Sequence, residues 1–421
     1  MSDTIYALSS GAPPAAIALV RISGPKADVA LQALAGTLPE PRTATLASLR
    51  ADGEILDNAL VIRFPGPASA TGEDVVELHL HGGRSVVAAV LAALGRIEGL
   101  RAAEPGEFTR RAFENGRIDL AEAEGLADLL ESETQAQRRA ALALAGGALS
   151  RQVEAWQARI LGLAAQVEAA LDFSDEDDVT ALPAGFGAEL GALRNELSAW
   201  LARPPAERLK DGIRVVIAGP PNAGKSSLLN ALAGRDAAIT SDTPGTTRDV
   251  IEAPTAIGGA SFLLIDTAGL RDSQDPIESI GIDRARASVA SADVIVWLGR
   301  AADAPEGAIL VHAKADLGPP EARCDLSVSV TTGEGLGALS RELIERSTEL
   351  LPREGEIALN ARHRAALGEV LDAVGEAGAT ADLLIAAEAL RQARAALDRI
   401  TGKAGVENML DALFGRFCIG K

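Results

Sequence analysis

The sequence predicts a multidomain α/β protein, with an N-terminal α+β domain, a helical bundle, and a parallel-sheet domain inserted into that bundle. Three observations carry this reading. The chain has 421 residues, more than one hydrophobic core usually serves. Its apolar pattern changes texture near Leu120, near Gly212 and again after Pro352. Between the last two changes, Gly219 to Ser226 has the glycine and lysine spacing of a phosphate-cradling loop.

The elements follow in order. Up to about residue 118, short β-like runs (Ala16 to Ile22, Ala59 to Phe64, Asp74 to Leu80) alternate with helical stretches such as Ser85 to Leu94. From Leu120 to Leu201 the pattern is long and helical, with Leu126, Leu129 and Leu130, then Leu161, Leu163, Val167 and Leu171 recurring at helical spacing. The acidic run Asp172 to Asp178 interrupts it as a solvated loop, with a metal site as the alternative. From Gly212, strands Ile213 to Ala218, Phe262 to Ile265, Val294 to Leu298 and Ile309 to His312 alternate with helices. The short stretch Gly299 to Gly307 implies a trimmed crossover helix. Helical texture, as in Leu383, Leu384, Ala387, Leu390, Ala393 and Leu397, returns after Pro352. The expected domains are therefore 1–118, a helical domain from 119–211 and 353–421, and an insert of 212–352.

Composition narrows the function. A hydrophobic fraction of 47% with 24% charged residues excludes a disordered or fibrous chain. No apolar run approaches the roughly 20 residues of a membrane span, and Met1-Ser2-Asp3-Thr4 lacks the basic start of a signal peptide, so no membrane association and a cytoplasmic location are expected. Two distant cysteines, Cys324 and Cys418, make neither a disulfide framework nor a zinc site. With 40 basic and 59 acidic residues the net charge is −19, so a nucleic-acid substrate would need a basic partner subunit.

Gly219-Pro-Pro-Asn-Ala-Gly-Lys225-Ser226 lies between a strand and a helix expected over Ser227 to Ala233. In that context backbone N–H groups of the loop, including those of Asn222, Ala223, Gly224 and Ser227, surround phosphates, Lys225 reaches the outer phosphates and Ser226 ligates magnesium. Asp266, in Asp266-Thr-Ala-Gly269, can reach the magnesium shell, and the Gly269 amide the terminal phosphate. Gly245-Thr246-Thr247-Arg248-Asp249 offers a further magnesium hydroxyl and resembles the first switch of translation-factor-related GTPases. Ala313-Lys314-Ala315-Asp316 resembles the guanine-reading Asn-Lys-x-Asp motif but departs at its first residue, which implies guanine preference with weakened affinity. Ser329 stands at the last base-loop position. Leu270 occupies the place where Ras-like enzymes carry a water-orienting glutamine, so hydrolysis needs another group; Glu278 is the nearest candidate, a surface acid otherwise.

Further marks are Thr71-Gly-Glu-Asp-Val-Val-Glu77, His81-Gly-Gly83, Pro105-Gly-Glu-Phe-Thr-Arg-Arg-Ala-Phe113, Asn115-Gly-Arg-Ile-Asp-Leu120, Leu171-Asp-Phe173 and Phe417-Cys418-Ile-Gly-Lys421. With these, the chain resembles from end to end the tRNA modification GTPase family MnmE, also called TrmE. The resemblance implies that 1–118 is a dimerising, aminomethyltransferase-like domain binding a 5-formyl or 5,10-methylene tetrahydrofolate, and that 212–352 is a Ras-like G domain. It implies a homodimer, a heterotetramer with the FAD-dependent partner MnmG (GidA), tRNA as substrate, and GTP hydrolysis on meeting of the two G domains as the conformational switch that drives modification. The reaction would place an aminomethyl or carboxymethylaminomethyl group on carbon 5 of the wobble uridine.

The resemblance also assigns residues. Potassium would be held by Asn222 and the loop carrying Ser241, Thr243 and Thr246, magnesium by Ser226 and Thr247, and the attacking water positioned by Glu278 with Lys225 as the other catalytic group. The folate positions are Arg21, Glu77, Arg117 and Lys421; relatives often carry lysine at the place of Arg117, and their glycine-rich loop reads Ala12-Pro13-Pro14-Ala15-Ala16 here. Cys418 is read either as a thiol near the folate or tRNA site or as a small hydrophobe beside Phe414 and Phe417. His79 and His81 are read as packing or hydrogen-bonding groups rather than a metal pair. Two rival functions are a GTP-controlled RNA or ribosome assembly factor, which calls for a basic domain, and a folate enzyme with a vestigial G domain.

Overall fold

A computed structural model describes residues 3–172, 182–234, 251–266, 289–320, 323–353, 355–404 and 407–420. The chain divides into two compact units, residues 1–127 with 398–421, and residues 128–397.

The first unit is built on a six-stranded sheet. Its strands are β1 (Thr4–Leu8), β2 (Ile17–Ser23), β3 (Thr45–Ala51), β4 (Glu54–Phe64), β5 (Val75–His81) and β6 (Leu100–Ala102), in the order β3-β4-β5-β2-β1-β6. Neighbours are antiparallel except for the β1–β6 pair. Alternation assigns the faces: Ala18, Val20 and Ile22 of β2 point into the core with Leu78 and Leu80 of β5, beneath α1 (Ala27–Ala35) and α2 (Arg84–Leu94). The odd residues of β2, Arg21 among them, face the other side, where Ile5, Ala7, Ala103 and Phe108 form a smaller cluster. Phe108 is supplied by α3 (Glu107–Glu114).

The sequence reading missed β3 and the first half of β4. Their turn carries the signal: Asp52 and Gly53 have φ of 51° and 82°, the left-handed pair that suits a tight hairpin. The chain leaves the first unit within α4 (Leu120–Glu131) and returns to it at Asp398, ahead of α13 (Glu407–Phe414). Leu410, Leu413, Phe414 and Phe417 pack with Leu120, Ala123 and Ala127. Cys418 is exposed while Phe414 and Phe417 beside it are buried, so its reading as a packed hydrophobe is corrected. Ile419 bridges to Pro105. A Cβ on Gly420, whose φ is +99°, would stand 2.2 Å from the Leu8 carbonyl oxygen, so glycine lets this segment lie against β1.

The second unit joins helices to a second six-stranded sheet. Its helices begin with α5 (Gln135–Ala145), α6 (Ala148–Asp172), α7 (Phe186–Leu201) and the five-residue α8 (Ala206–Lys210). Trp156 of α6 meets Trp200 of α7 edge-on with ring centroids 5.1 Å apart, and its indole N–H donates to Glu196 at 2.9 Å. The sheet contains β7 (Ile213–Ala218), β8 (Ile251–Ile257), β9 (Ala260–Asp266), β10 (Val294–Trp297), β11 (Ile309–Ala313) and β12 (Leu326–Val328), ordered β12-β11-β10-β7-β9-β8. All pairs are parallel except β8–β9. Strand β8 escaped the sequence reading because Pro254 interrupts it, and its edge position tolerates the missing donor.

Helix α9 (Lys225–Ala233) follows β7, and α10 (Leu336–Leu350) covers the sheet through Leu336, Leu339 and Leu343. Between β10 and β11 stands only the 3-10 turn Ala301–Asp303, as the short spacing predicts. Helices α11 (Ala361–Ala379) and α12 (Leu383–Thr401) follow. No helix among the described residues is long and apolar enough to cross a membrane.

Candidate functional site

The nucleotide site grows from the end of β7. Gly219 has φ +148° and sits so close to Leu298 that a Cβ would be 3.1 Å from it, so the loop passes the β10 end only as glycine. The chain then turns through Asn222, at φ 61°, and Gly224, which starts α9. The loop N–H groups and the helix N-terminus are backbone donors of the kind that can surround an anion. Lys225 is 7% exposed and its ammonium donates to the Gly219 and Pro220 carbonyls at 3.2 and 2.9 Å, which curls it across the loop. Ala223 is half-buried and Ser227 exposed.

Asp266 ends β9 opposite Ile217 and is fully buried; the Ser226 hydroxyl donates to its carboxylate. A buried carboxylate and a hydroxyl at the mouth of a phosphate loop form the hard-oxygen set that suits magnesium. Thr246 and Thr247, the potassium-loop positions Ser241 and Thr243, Gly269, Leu270 and Glu278 lie outside the described residues.

The base loop joins this site. Lys314, with φ 60°, donates its ammonium to the Asn222 carbonyl at 2.8 Å. Substitution of the usual asparagine by Ala313 therefore leaves the base loop connected to the phosphate loop through the next residue. Asp316 is held by Ser329, whose hydroxyl donates to Oδ1 at 2.6 Å and accepts from the Thr332 N–H at 3.2 Å. Ser329 is fully buried, whereas Asp316 is exposed to a ligand.

In the first unit, Arg21 and Glu77 stand opposite each other in the β2–β5 register. Nε and Nη2 of Arg21 both donate to Oε1 of Glu77, at 3.1 and 2.8 Å, and the guanidinium lies 5.9 Å from the Phe108 ring centroid. Nothing in the sequence pattern singled out Phe108 as the platform under Arg21. Arg117 is exposed, with its stem against Gly72. Thr71 ties that loop to β2 through the Ser23 hydroxyl, at 2.7 Å, and Asn115 donates to the Thr71 carbonyl at 2.8 Å. Three of the quoted sequence motifs thus converge near Arg21. Lys421 lies outside the described residues, although Gly420 beside it rests on Leu8. The Ala12 to Ala16 segment is tied to His81-Gly82-Gly83 by the Ala15 N–H, which donates to the Gly82 carbonyl at 3.0 Å.

An ion-pair cluster supports this face. Arg111, 7% exposed, donates to Asp3 (2.7 Å), Glu73 (3.1 Å) and Glu107 (3.0 Å). Burial opposes ionisation of Asp3 and Glu107, yet guanidinium hydrogen bonds from Arg101 and Arg111 outweigh it and hold both carboxyls below their ordinary range. Burial likewise opposes the charge on Arg111, which its carboxylate partners hold above its ordinary value. His81 pairs with Asp57 at 2.7 Å and His79 lies 3.5 Å from Glu77; no group of three metal-binding side chains occurs among the described residues.

Known proteins resemble this chain along its whole length. The family model described as GTP-binding protein TrmE N-terminus matches residues 4–117, and the one described as MnmE helical domain matches residues 120–418. A tRNA modification GTPase MnmE of Rhizorhabdus wittichii is 60% identical over 427 residues, covering 100% of this chain and 97% of that protein. Its counterpart in Erythrobacter litoralis is 57% identical over 423 residues, with 100% of both chains covered. Among solved structures, the G domain of the T. maritima FeoB iron transporter is similar over 32% of this chain and 98% of its own, with 26% identity and a TM-score of 0.25. Full-length identity of this order, with family models covering both parts of the chain, places it: the chain belongs to the tRNA modification GTPase MnmE family.

Proposed function

We propose that this chain is a potassium-activated GTPase that modifies carbon 5 of the wobble uridine in tRNA together with the FAD-dependent partner MnmG, using the one-carbon unit of a 5-formyl or 5,10-methylene tetrahydrofolate. The observation that carries the GTP half is the ordered base loop, in which Ser329 aims Asp316 and Lys314 grips the phosphate loop at Asn222. Asp316 accepts from the guanine ring N–H and amino group, and Lys225 with the loop amides holds the phosphates.

Ser226, Asp266 and Thr247 would hold magnesium, and Asn222, Ser241, Thr243 and Thr246 potassium; when bound, these cations offset the charge that develops on the phosphoryl oxygens. Glu278 would orient the attacking water, since Leu270 carries no polar group. In the first unit, Arg21, Glu77, Arg117 and Lys421 would hold the folate, whose pterin and glutamate tail offer partners to carboxylate and cation alike. The proposed domains are 1–118 for folate binding and homodimerisation, 119–211 with 353–421 as the helical domain, and 212–352 as the G domain. The basic surface that tRNA needs comes from MnmG, in keeping with a net charge of −19.

The test is GTP hydrolysis by the purified protein in potassium and in sodium buffer at equal magnesium and ionic strength. A strong potassium stimulation is expected. Equal rates in the two salts would overturn the potassium-activated switch.

A further inference from the structure

Helix α8 is five residues long and buries none of them. Its residues are half-buried, and polar ties run from it in three directions. Toward the nucleotide-binding sheet, Arg208 pairs with Asp293 at 2.8 Å. The Asp293 side chain is 12% exposed, and its other oxygen accepts from the Arg214 N–H at 3.1 Å while its own N–H donates to the Arg214 carbonyl at 3.0 Å. Asp293 therefore staples the start of β10 to the start of β7 and binds both to α8.

Toward the bundle, the Gln137 amide donates to the Leu209 and Lys210 carbonyls at 3.1 and 3.2 Å, and Lys210 pairs with Asp128 at 2.7 Å and Glu131 at 3.2 Å. Gln137 is itself fixed at the N-terminus of α5 by the capping box with Thr134. Toward α11, Glu207 accepts from the Ala361 N–H at 2.7 Å and the Ala206 N–H donates to the Leu359 carbonyl at 3.0 Å.

The two strands that Asp293 staples run in register, Val215 beside Val294 and Ala218 beside Trp297; β7 ends in the phosphate loop, and the end of β10 lies against it. There the Leu298 N–H donates to the Ala218 carbonyl at 2.8 Å and Leu298 presses on Gly219, whose carbonyl accepts from Lys225. The phosphate loop and Asp293 thus sit at opposite ends of the same two hydrogen-bonded strands. Beside α8 lies a cavity of about 250 Å³, lined by Gln137, Ala141, Leu144, Leu209, Lys210 and His363. It gives the helix room to move without breaking a packed core.

We propose that α8 is a strut that passes the nucleotide state of the phosphate loop to the helices, and that the Arg208–Asp293 ion pair is its attachment to the sheet. The proposal rests on the reading that GTP turnover drives tRNA modification, and it names the element that couples the two. Arg208 and Asp293 are positioning residues, since neither belongs to the nucleotide or folate site.

The test uses the full chain. Hydrogen exchange of α5 and the first turn of α11 is compared between the GDP-bound form and the form bound to a non-hydrolysable GTP analogue, in the wild type, Arg208→Ala, Asp293→Asn and Arg208→Lys. A nucleotide-dependent difference in the wild type, lost in Arg208→Ala and Asp293→Asn and kept in Arg208→Lys, is expected. The amide introduced by Asp293→Asn retains an acceptor for the Arg214 N–H, which keeps the staple folded. In the reconstituted reaction the first two variants should lose about fivefold or more in modification while GTP turnover stays within about twofold, the range expected of a coupling element. No difference in wild-type exchange, an unchanged difference in the variants, or parallel loss of turnover and modification would each overturn the strut. Exchange coupling without any tRNA modification by the wild type would sink the functional reading and leave the strut standing.

Discussion

Replacing Ser329 by alanine isolates the base-recognition half of the GTP site. The hydroxyl is fully buried and makes two contacts, donating to Asp316 and accepting from the Thr332 N–H. A hydrogen bond to a charged group is worth about 1.5 to 3 kcal/mol. Here the lower end applies, because Asp316 is exposed and water can solvate it once the hydroxyl is gone. A loss of about 1.4 kcal/mol corresponds to roughly tenfold weaker GTP binding. Displacement of a fluorescent GDP analogue reads this directly, with inosine triphosphate as the comparison ligand. Inosine lacks the 2-amino group, so it uses less of the Asp316 carboxylate and should lose less affinity than guanosine. Ser329→Thr restores the hydroxyl and should recover part of the loss. Unchanged GTP affinity, or equal losses for the two nucleotides, would refute the idea that Ser329 aims Asp316 at the base.

Two further outcomes follow from the first unit. Gly420→Ala places a Cβ 2.2 Å from the Leu8 carbonyl oxygen at a φ of +99°, so it should unseat the segment that carries Lys421 and weaken 5-formyltetrahydrofolate binding by about tenfold or more, while GTP hydrolysis stays unchanged; titration calorimetry checks the first and phosphate release the second. The lowered carboxyls of Asp3 and Glu107 stabilise the fold fully above their ordinary values of 3.8 and 4.5, and that contribution is lost as pH falls through the lowered values. Asp3 is nearly half exposed, so most of the effect belongs to Glu107. Protection factors of amides in β1 and α3, corrected for intrinsic exchange, should hold level from neutrality to about pH 5 and fall as the pH drops below about 4, and protection that stays level throughout the acid range would count against this assignment.

Much of the nucleotide site is legible in the sequence because its chemistry is local: eight consecutive residues make the phosphate loop, and strand β7 before it reads directly from Ile213 to Ala218. The rest depends on pairings between distant residues. Phe108 under Arg21, Ser23 on Thr71 and Arg208 on Asp293 join segments far apart in the chain, and no periodicity reports such partners. Strand β3 leaves a weak signal because Leu46 and other residues on its outer face are exposed. The asparagine lost at Ala313 reads as a broken link in the sequence, whereas Lys314 supplies that link through a left-handed backbone no motif encodes.

The packing of Leu410, Leu413, Phe414 and Phe417 on Leu120, Ala123 and Ala127 also sets the order of events at the ribosome. The first unit is complete only when residues 398–420 have joined it, after everything from Asp128 to Leu397 has been synthesised. At roughly 5 to 20 residues per second the wait lasts tens of seconds. Until then the residues that bury Leu120, Ala123 and Ala127 are missing from the nascent chain. The later-encoded unit can fold first, and the first-encoded one closes last.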